Sequence, residues 1–188
     1  MTAENFSPEE SIQLIQSMIA KTRRNFSYQR FYFLLWGYCS LAACIGQFLL
    51  KVVFNSNLHP TVWFINIPCL IITIYYATRY EKKAMVKTYV GENMKYLWTG
   101  VGISFMVLTA IFFRIGWVSC FPIYITLYGL GSFVSGRILQ FRPSLIGGLI
   151  CWLLALIAVW VPFDYQILFA AAALLFGYII PGHLVSKT

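Results

Sequence analysis

The stretch Pro143-Ser-Leu-Ile-Gly-Gly-Leu-Ile-Cys-Trp-Leu-Leu-Ala-Leu-Ile-Ala-Val-Trp-Val161, followed after Pro162 by Phe163-Asp-Tyr-Gln-Ile-Leu-Phe-Ala-Ala-Ala-Ala-Leu-Leu-Phe-Gly-Tyr-Ile-Ile180, decides the fold. One side chain in it, Asp164, is charged. A bilayer core about 30 Å thick is crossed by roughly 20 apolar residues in a helix. A helix also satisfies its own backbone hydrogen bonds, which hydrocarbon cannot do. The stretch therefore reads as two membrane helices turning at Pro162. Four more such segments precede it: Phe31–Leu50, Thr61–Thr78, Tyr96–Phe113 and Trp117–Ser135. The predicted fold class is all-α, a polytopic membrane bundle of six transmembrane helices. Residues 1–27 are expected to form a cytoplasmic amphipathic segment, 28–183 the membrane domain and 184–188 a cytoplasmic tail.

Composition agrees. Of 188 residues 60% are apolar and 11% charged, against about 25% charged in soluble domains. The net charge of +8 needs no nucleic acid to explain it, because the basic residues are sorted by loop. Lys51 and Arg114 are the only basic residues on one side. On the other lie Lys21, Arg23, Arg24, Arg30, Arg79, Lys82, Lys83, Lys87, Lys95, Arg137, Arg142 and Lys187. Basic residues stay on the cytoplasmic side, so both termini are expected there. Trp63, Trp117 and Trp160 at the outer ends and Tyr28, Tyr32, Tyr80 and Tyr96 at the inner ends fit the two interfacial belts. About 30 mostly polar residues precede the first apolar segment, so that segment is expected to remain as a span and not to be cleaved as a signal.

The N-terminal segment carries its own helix signals. Ser7-Pro8-Glu9-Glu10 offers an N-cap serine, a proline at the first helical position and a glutamate at the third. Ile12, Ile15, Met18, Ile19 and Phe26 recur at helical spacing. Lys21, Arg23 and Arg24 then meet the negative end of the helix dipole. This helix is expected at the headgroup boundary on anionic lipid, or against the bundle or a protein partner. The inner loop Arg79–Lys95, with Lys82, Lys83 and Lys87, reads as helical extensions broken at Gly91 and forms a second basic contact surface.

Ionisable groups at membrane depth usually mark proton or ion pathways. Asp164, at the entrance of the sixth segment, is the only one here. It reads as a cap of that helix, with Arg114 on the same side as an alternative partner. His59 lies close by, so His59, Arg114 and Asp164 form a candidate outer-face cluster. His59 and His183 fall on opposite sides of the membrane and cannot share a metal or haem. The five cysteines, Cys39, Cys44, Cys69, Cys120 and Cys151, include no CxxC pair and read as small apolar packing residues. No metal or cofactor site is expected.

Asn66 and Gln47 sit at corresponding outer depths of the second and first segments. Pro68, two residues after Asn66, removes an N–H and is expected to leave a helical carbonyl unpaired. An interhelical hydrogen bond explains both amides; the functional alternative is a polar pocket open to the outside. Small residues at helix-contact spacing (Ala42 and Gly46, Gly100 and Ser104, Ser132 and Gly136, Ala173 and Gly177, and the pair Gly147-Gly148) predict close helix approach. Leu35-Trp36-Gly37 resembles Leu97-Trp98-Thr99-Gly100, and Ile67-Pro68 resembles Phe121-Pro122, which suggests three successive helical hairpins.

The segments Phe31-Tyr-Phe-Leu-Leu-Trp-Gly-Tyr38, Lys87-Thr-Tyr89, Tyr128-Gly-Leu-Gly131, Ile146-Gly-Gly-Leu-Ile-Cys-Trp152 and Ile180-Pro-Gly182 resemble a group of small, uncharacterised six-helix bacterial inner-membrane proteins with no established activity. The resemblance covers nearly the whole chain. It implies a multi-pass topology and an inner-membrane location, and it carries no catalytic residues. The residues themselves predict a non-catalytic module that binds a membrane or cytoplasmic protein partner or senses the membrane. The alternative is a small transporter or channel for a neutral or apolar solute. An enzyme is disfavoured because paired ionisable groups are missing. Expected partners are the bilayer, its anionic headgroups and a protein, which includes a second copy of the chain.

Overall fold

The structure, a computed structural model, describes residues 30–83 and 89–185. All its regular elements are helical. The first helix, α1, is Arg30–Val53 and ends in a π turn at Leu49–Val53. A 3-10 helix, His59–Ile65, leads into α2, Asn66–Lys83. Then follow α3, Tyr89–Ile115, α4, Cys120–Ile138, and α5, Arg142–Ala158. The last, α6, runs from Phe163 to Leu184 and contains a second π turn at Leu175–Ile179. Four segments are long and apolar enough to cross a membrane: α1, His59–Arg79, Val90–Ile115 and α6. The expected N-terminal helix of residues 1–27, with Lys21, Arg23 and Arg24, lies outside the described residues, as do Lys87 and Lys187.

The turns explain where the helices stop. Gly116, with φ of 97°, follows α3 and returns its N–H to Phe112 O at 2.9 Å. Such positive φ costs glycine nothing. The α4–α5 turn is a Schellman closure: Gln140 takes φ of 53°, its N–H meets Arg137 O and the Phe141 N–H meets Gly136 O at 2.8 Å. Pro143 then stands in the first turn of α5, where an N–H has no helical acceptor anyway.

Pro68 corrects one expectation in the same way. It was to leave a carbonyl orphaned inside a helix, but α2 starts only at Asn66. Pro68 is the third residue of the helix, and Phe64 O accepts the Asn66 N–H instead. Pro122 likewise stands third in α4. The expected break at Gly91 is also absent, because α3 runs through it from Tyr89.

The centre of the bundle is α4, which packs on α3, α5 and α6. This explains why α4 is richer in Gly and Ser than the other helices. Its buried face, Gly129, Gly131, Ser132, Ser135 and Gly136, meets neighbouring helices. A Cβ on Gly136 would lie 2.5 Å from Leu145 N, and one on Gly147 would lie 2.4 Å from Phe176 O. The small-residue pairs Ser132/Gly136 and Ala173/Gly177 thus mark real backbone approaches. Gly100 does not, for open space surrounds it.

The outboard helix is α2. It rests against α1 through Trp36 Nε1 donating to Thr73 Oγ1 at 3.0 Å and through Phe31 stacked on Tyr76. Only 6% of its apolar window is buried, against 50% for α6. Ile67, Leu70, Ile71, Ile74 and Tyr75 stand outward.

Helix ends sort the charges. The end of α6 meets the start of α1, where Gly182 approaches Leu34 and Tyr38 OH lies 2.8 Å from His183 Nε2. Arg30, Arg79, Lys82, Lys83, Lys95, Arg137 and Arg142 belong to this end of the bundle. Among the described residues the opposite end carries only Lys51 and Arg114 as basic residues.

Candidate functional site

The sparsely charged end holds the densest set of polar side chains predicted as a site. The π turn at Leu49–Val53 inserts one residue into the last turn of α1, with Phe54 N–H returning to Leu49 O at 2.9 Å. Lys51 lies in that turn and bridges to the Asp164 carboxylate in the first turn of α6. Its Nζ also stands 4.3 Å from the centroid of the Phe163 ring. Asp164 was expected to cap α6 or pair with Arg114. The N-cap is instead Pro162, without a side-chain cap, and Lys51 takes the carboxylate. Asp164 still lies where the helix dipole favours a negative charge. Lys51 and Asp164 are 29% and 48% exposed, so solvent screening leaves the pair worth about 0–1 kcal/mol. It acts as a latch between α1 and α6 more than as a source of stability.

One turn before Lys51, Gln47 accepts a hydrogen bond from the Trp63 indole. Gln47, Phe48, Lys51, Phe121, Phe163, Asp164 and Ile167 line a single cleft, in which no water-sized void remains. The structure thus brings Gln47 and Asp164, predicted separately, to one place. His59 Nδ1 is buried without a partner and lies within electrostatic reach of both Lys51 and Asp164. Arg114 stands exposed at the end of α3 and does not line the cleft. Asn66 opens α2 three residues after Trp63, and its Oδ1 is buried without a partner.

Lys51 and Gln166 were missed as site residues. Gln166 follows Asp164 by two positions, and its Nε2 donates to Val161 O at 3.0 Å, closing the α5–α6 turn. The signal for Lys51 was elementary: it and Arg114 are the only basic residues available to Asp164 on that side.

Deeper in the bundle Ser135 Oγ and Tyr178 OH are buried without a partner, while two other polar pairs satisfy one another. Ser132 and Ser144 exchange hydrogen bonds, and Thr109 Oγ1 lies 2.7 Å from Tyr124 OH. Among the described residues no group of three or more His, Cys, Asp or Glu is placed to hold a metal ion. Of the predicted basic contact residues, Arg79 lies over the Tyr75 ring at 5.3 Å, and Lys82 and Lys83 occupy the last turn of α2. None of the protein-family models, curated proteins or solved structures compared with the chain matches it.

Proposed function

We propose that the chain is a multi-pass protein of the bacterial inner membrane, with six membrane-crossing helices and both termini in the cytoplasm. On this reading it serves as a non-catalytic module that binds a membrane or cytoplasmic protein partner at its basic end. The observation that carries the proposal is the asymmetry of α2. This helix is held along one edge by α1, presents an outward apolar face and ends in Arg79, Lys82 and Lys83. Among the described residues the 7-to-2 sorting of Lys and Arg between the two ends supports the orientation. Each basic residue near an anionic membrane surface adds about 1 kcal/mol of attraction, so lipid reinforces the same end.

The test is co-purification in nanodiscs at native expression, with bound proteins identified by mass spectrometry. A stoichiometric partner is expected with the full chain. Removing residues 1–27, or changing Arg79, Lys82 and Lys83 together to glutamine, is expected to abolish its recovery while the bundle stays folded. A variant that retains the partner at full yield contradicts the proposal.

Transport of a neutral solute is the second reading, and the buried, unpartnered Asn66 Oδ1 favours it. Asn66→Leu separates the two. Replacing an unpaired buried amide by an apolar side chain costs little stability, within about 1 kcal/mol. Loss of solute flux in vesicles from a fully folded Asn66→Leu variant assigns Asn66 to a pathway; unaltered flux removes it.

A further inference from the structure

The cleft at the sparsely charged end joins two features that the function above leaves without a role. The first is an isolated pair of opposite charges. Lys51 is the first residue past the apolar segment Phe31–Leu50, and Asp164 is the second of Phe163–Ile180. Both stand at the depth of lipid headgroups, bridged to each other but still partly exposed. Among the described residues Asp164 is the only acidic one at this end. Lys51 Nζ lies 4.3 Å from the Phe163 ring centroid, so the same place also offers a cation an aromatic face. The second feature is an apolar seam. Phe48 on α1 and Tyr165 on α6 meet beside the ion pair, with ring centroids 6.3 Å apart. The two helices run antiparallel, since Lys51 meets Asp164 at one end and Leu34 meets Gly182 at the other. Ile45, three residues before Phe48, and Leu168, three after Tyr165, therefore extend the seam toward the bilayer centre. Ile45, Tyr165 and Leu168 are exposed. Behind the pair Phe121 and Ile167 are buried, and no water-sized void remains. A ligand has room across the pair and along the seam, not inside the bundle.

We propose that Lys51, Asp164 and this seam bind a phospholipid whose headgroup carries both a phosphate and a primary ammonium, the phosphatidylethanolamine class. The phosphate accepts from Lys51 Nζ, and the ammonium donates to the Asp164 carboxylate. One direct ion pair becomes two, and the net charge of the site stays zero. An exposed direct pair offers little resistance to this exchange, whereas hydrogen bonds between ionised groups are short and strong. Charge complementarity selects the class. An anionic headgroup without an amine sets its phosphate beside the Asp164 carboxylate with no cation between them, and like charges repel. A quaternary ammonium can lie over Phe163 but has no N–H for Asp164. An acyl chain covers Ile45, Phe48, Tyr165 and Leu168 and holds α1 against α6. This site lies at the opposite end from the proposed partner surface and shares with that reading only the embedding in a membrane.

The experiment equilibrates the full chain in mild detergent with equal amounts of phosphatidylethanolamine, phosphatidylcholine and phosphatidylglycerol of identical acyl chains. Native mass spectrometry then counts the lipids retained. The expected result is one phosphatidylethanolamine per chain, in roughly tenfold excess over either competitor, as one hydrogen bond to a charged group predicts. Lys51→Gln and Asp164→Asn are each expected to abolish the excess. Both are expected to stay folded, because the exposed pair adds little stability, and circular dichroism checks this. Arg114→Gln, at the same end but outside the cleft, is expected to keep the excess. Equal retention of the three lipids, a preference for phosphatidylglycerol, or an undiminished excess in both cleft variants overturns the proposal. Soluble O-phosphoethanolamine is expected not to displace the lipid; displacement at equal concentration overturns the lipid as the source of the headgroup. Recovery of the protein partner by Asp164→Asn, read separately in nanodiscs, is expected to be unchanged, so each proposal can fail without the other.

Discussion

Gly147→Leu is expected to destabilise the bundle by about 3 kcal/mol or more, at the upper end of overpacking costs. The first added carbon already lies 2.4 Å from Phe176 O and 3.1 Å from Gly177 Cα. Both are backbone atoms of the π turn in α6, so no side chain can rotate away. Relief requires α6 to move off α5, and a close-packed interior resists that movement. Gly100→Ala is the control. It meets open space on α3 and removes a flexible residue from a helix, so a gain of about 0.5 kcal/mol is expected. Equilibrium unfolding in mild detergent measures both. Equal stability of Gly147→Leu and the parent contradicts the α5–α6 contact.

Ser132→Ala is expected to cost about 1–2 kcal/mol. In an α-helical register the Gly177 carbonyl would accept from residue 181, which is a proline without an N–H. The hydroxyl of Ser132, on α4, reaches Gly177 O at 2.8 Å and Ser144 O at 3.0 Å, while Ser144 Oγ donates back to Ser132 O at 2.9 Å. Three helices are tied at one buried point. Alanine keeps the packing but leaves the Gly177 carbonyl without this donor in an apolar interior. Because Ser132 and Ser144 share the network, the double change to alanine is expected to cost less than the two single costs added. Strict additivity, or no loss in Ser132→Ala, contradicts the junction.

Much of the helical layout was legible in the sequence, because apolar runs of membrane length bounded by charges, glycines and prolines leave few alternatives to helices. Six expected segments correspond to six helices. The misjudged boundaries have local causes. No breaker stops α3 from starting at Tyr89, seven residues before the apolar run at Tyr96, since a glycine in a helix costs only about 1 kcal/mol. The 3-10 helix before α2 could not be separated from the apolar segment by periodicity. Glycine spacing predicted the α4–α5–α6 approach correctly but gave the same signal at Gly100, where the neighbour is missing.

The site was less legible, since it depends on which faces meet. Asp164 was singled out as the lone carboxylate at that end, but a π turn decides that Lys51 reaches it, and π turns leave no simple signature in sequence. The Gln47–Trp63 bond and the approach of Cys69 to Leu35 O are likewise products of helix register. The position of α4 at the centre was signalled only indirectly, by its excess of Gly and Ser over large apolar residues.

The central claim, six crossings with both termini cytoplasmic, is tested most directly by paired alkaline phosphatase and green fluorescent protein fusions after residues 57, 85, 117, 140, 161 and 188. Phosphatase activity is expected after 57, 117 and 161, and fluorescence after 85, 140 and 188. The pair flanking α5 is the sharpest, because α5 has only 17 residues, about 26 Å of helix. The same reporter active on both sides of α5, or of any other helix, contradicts the account.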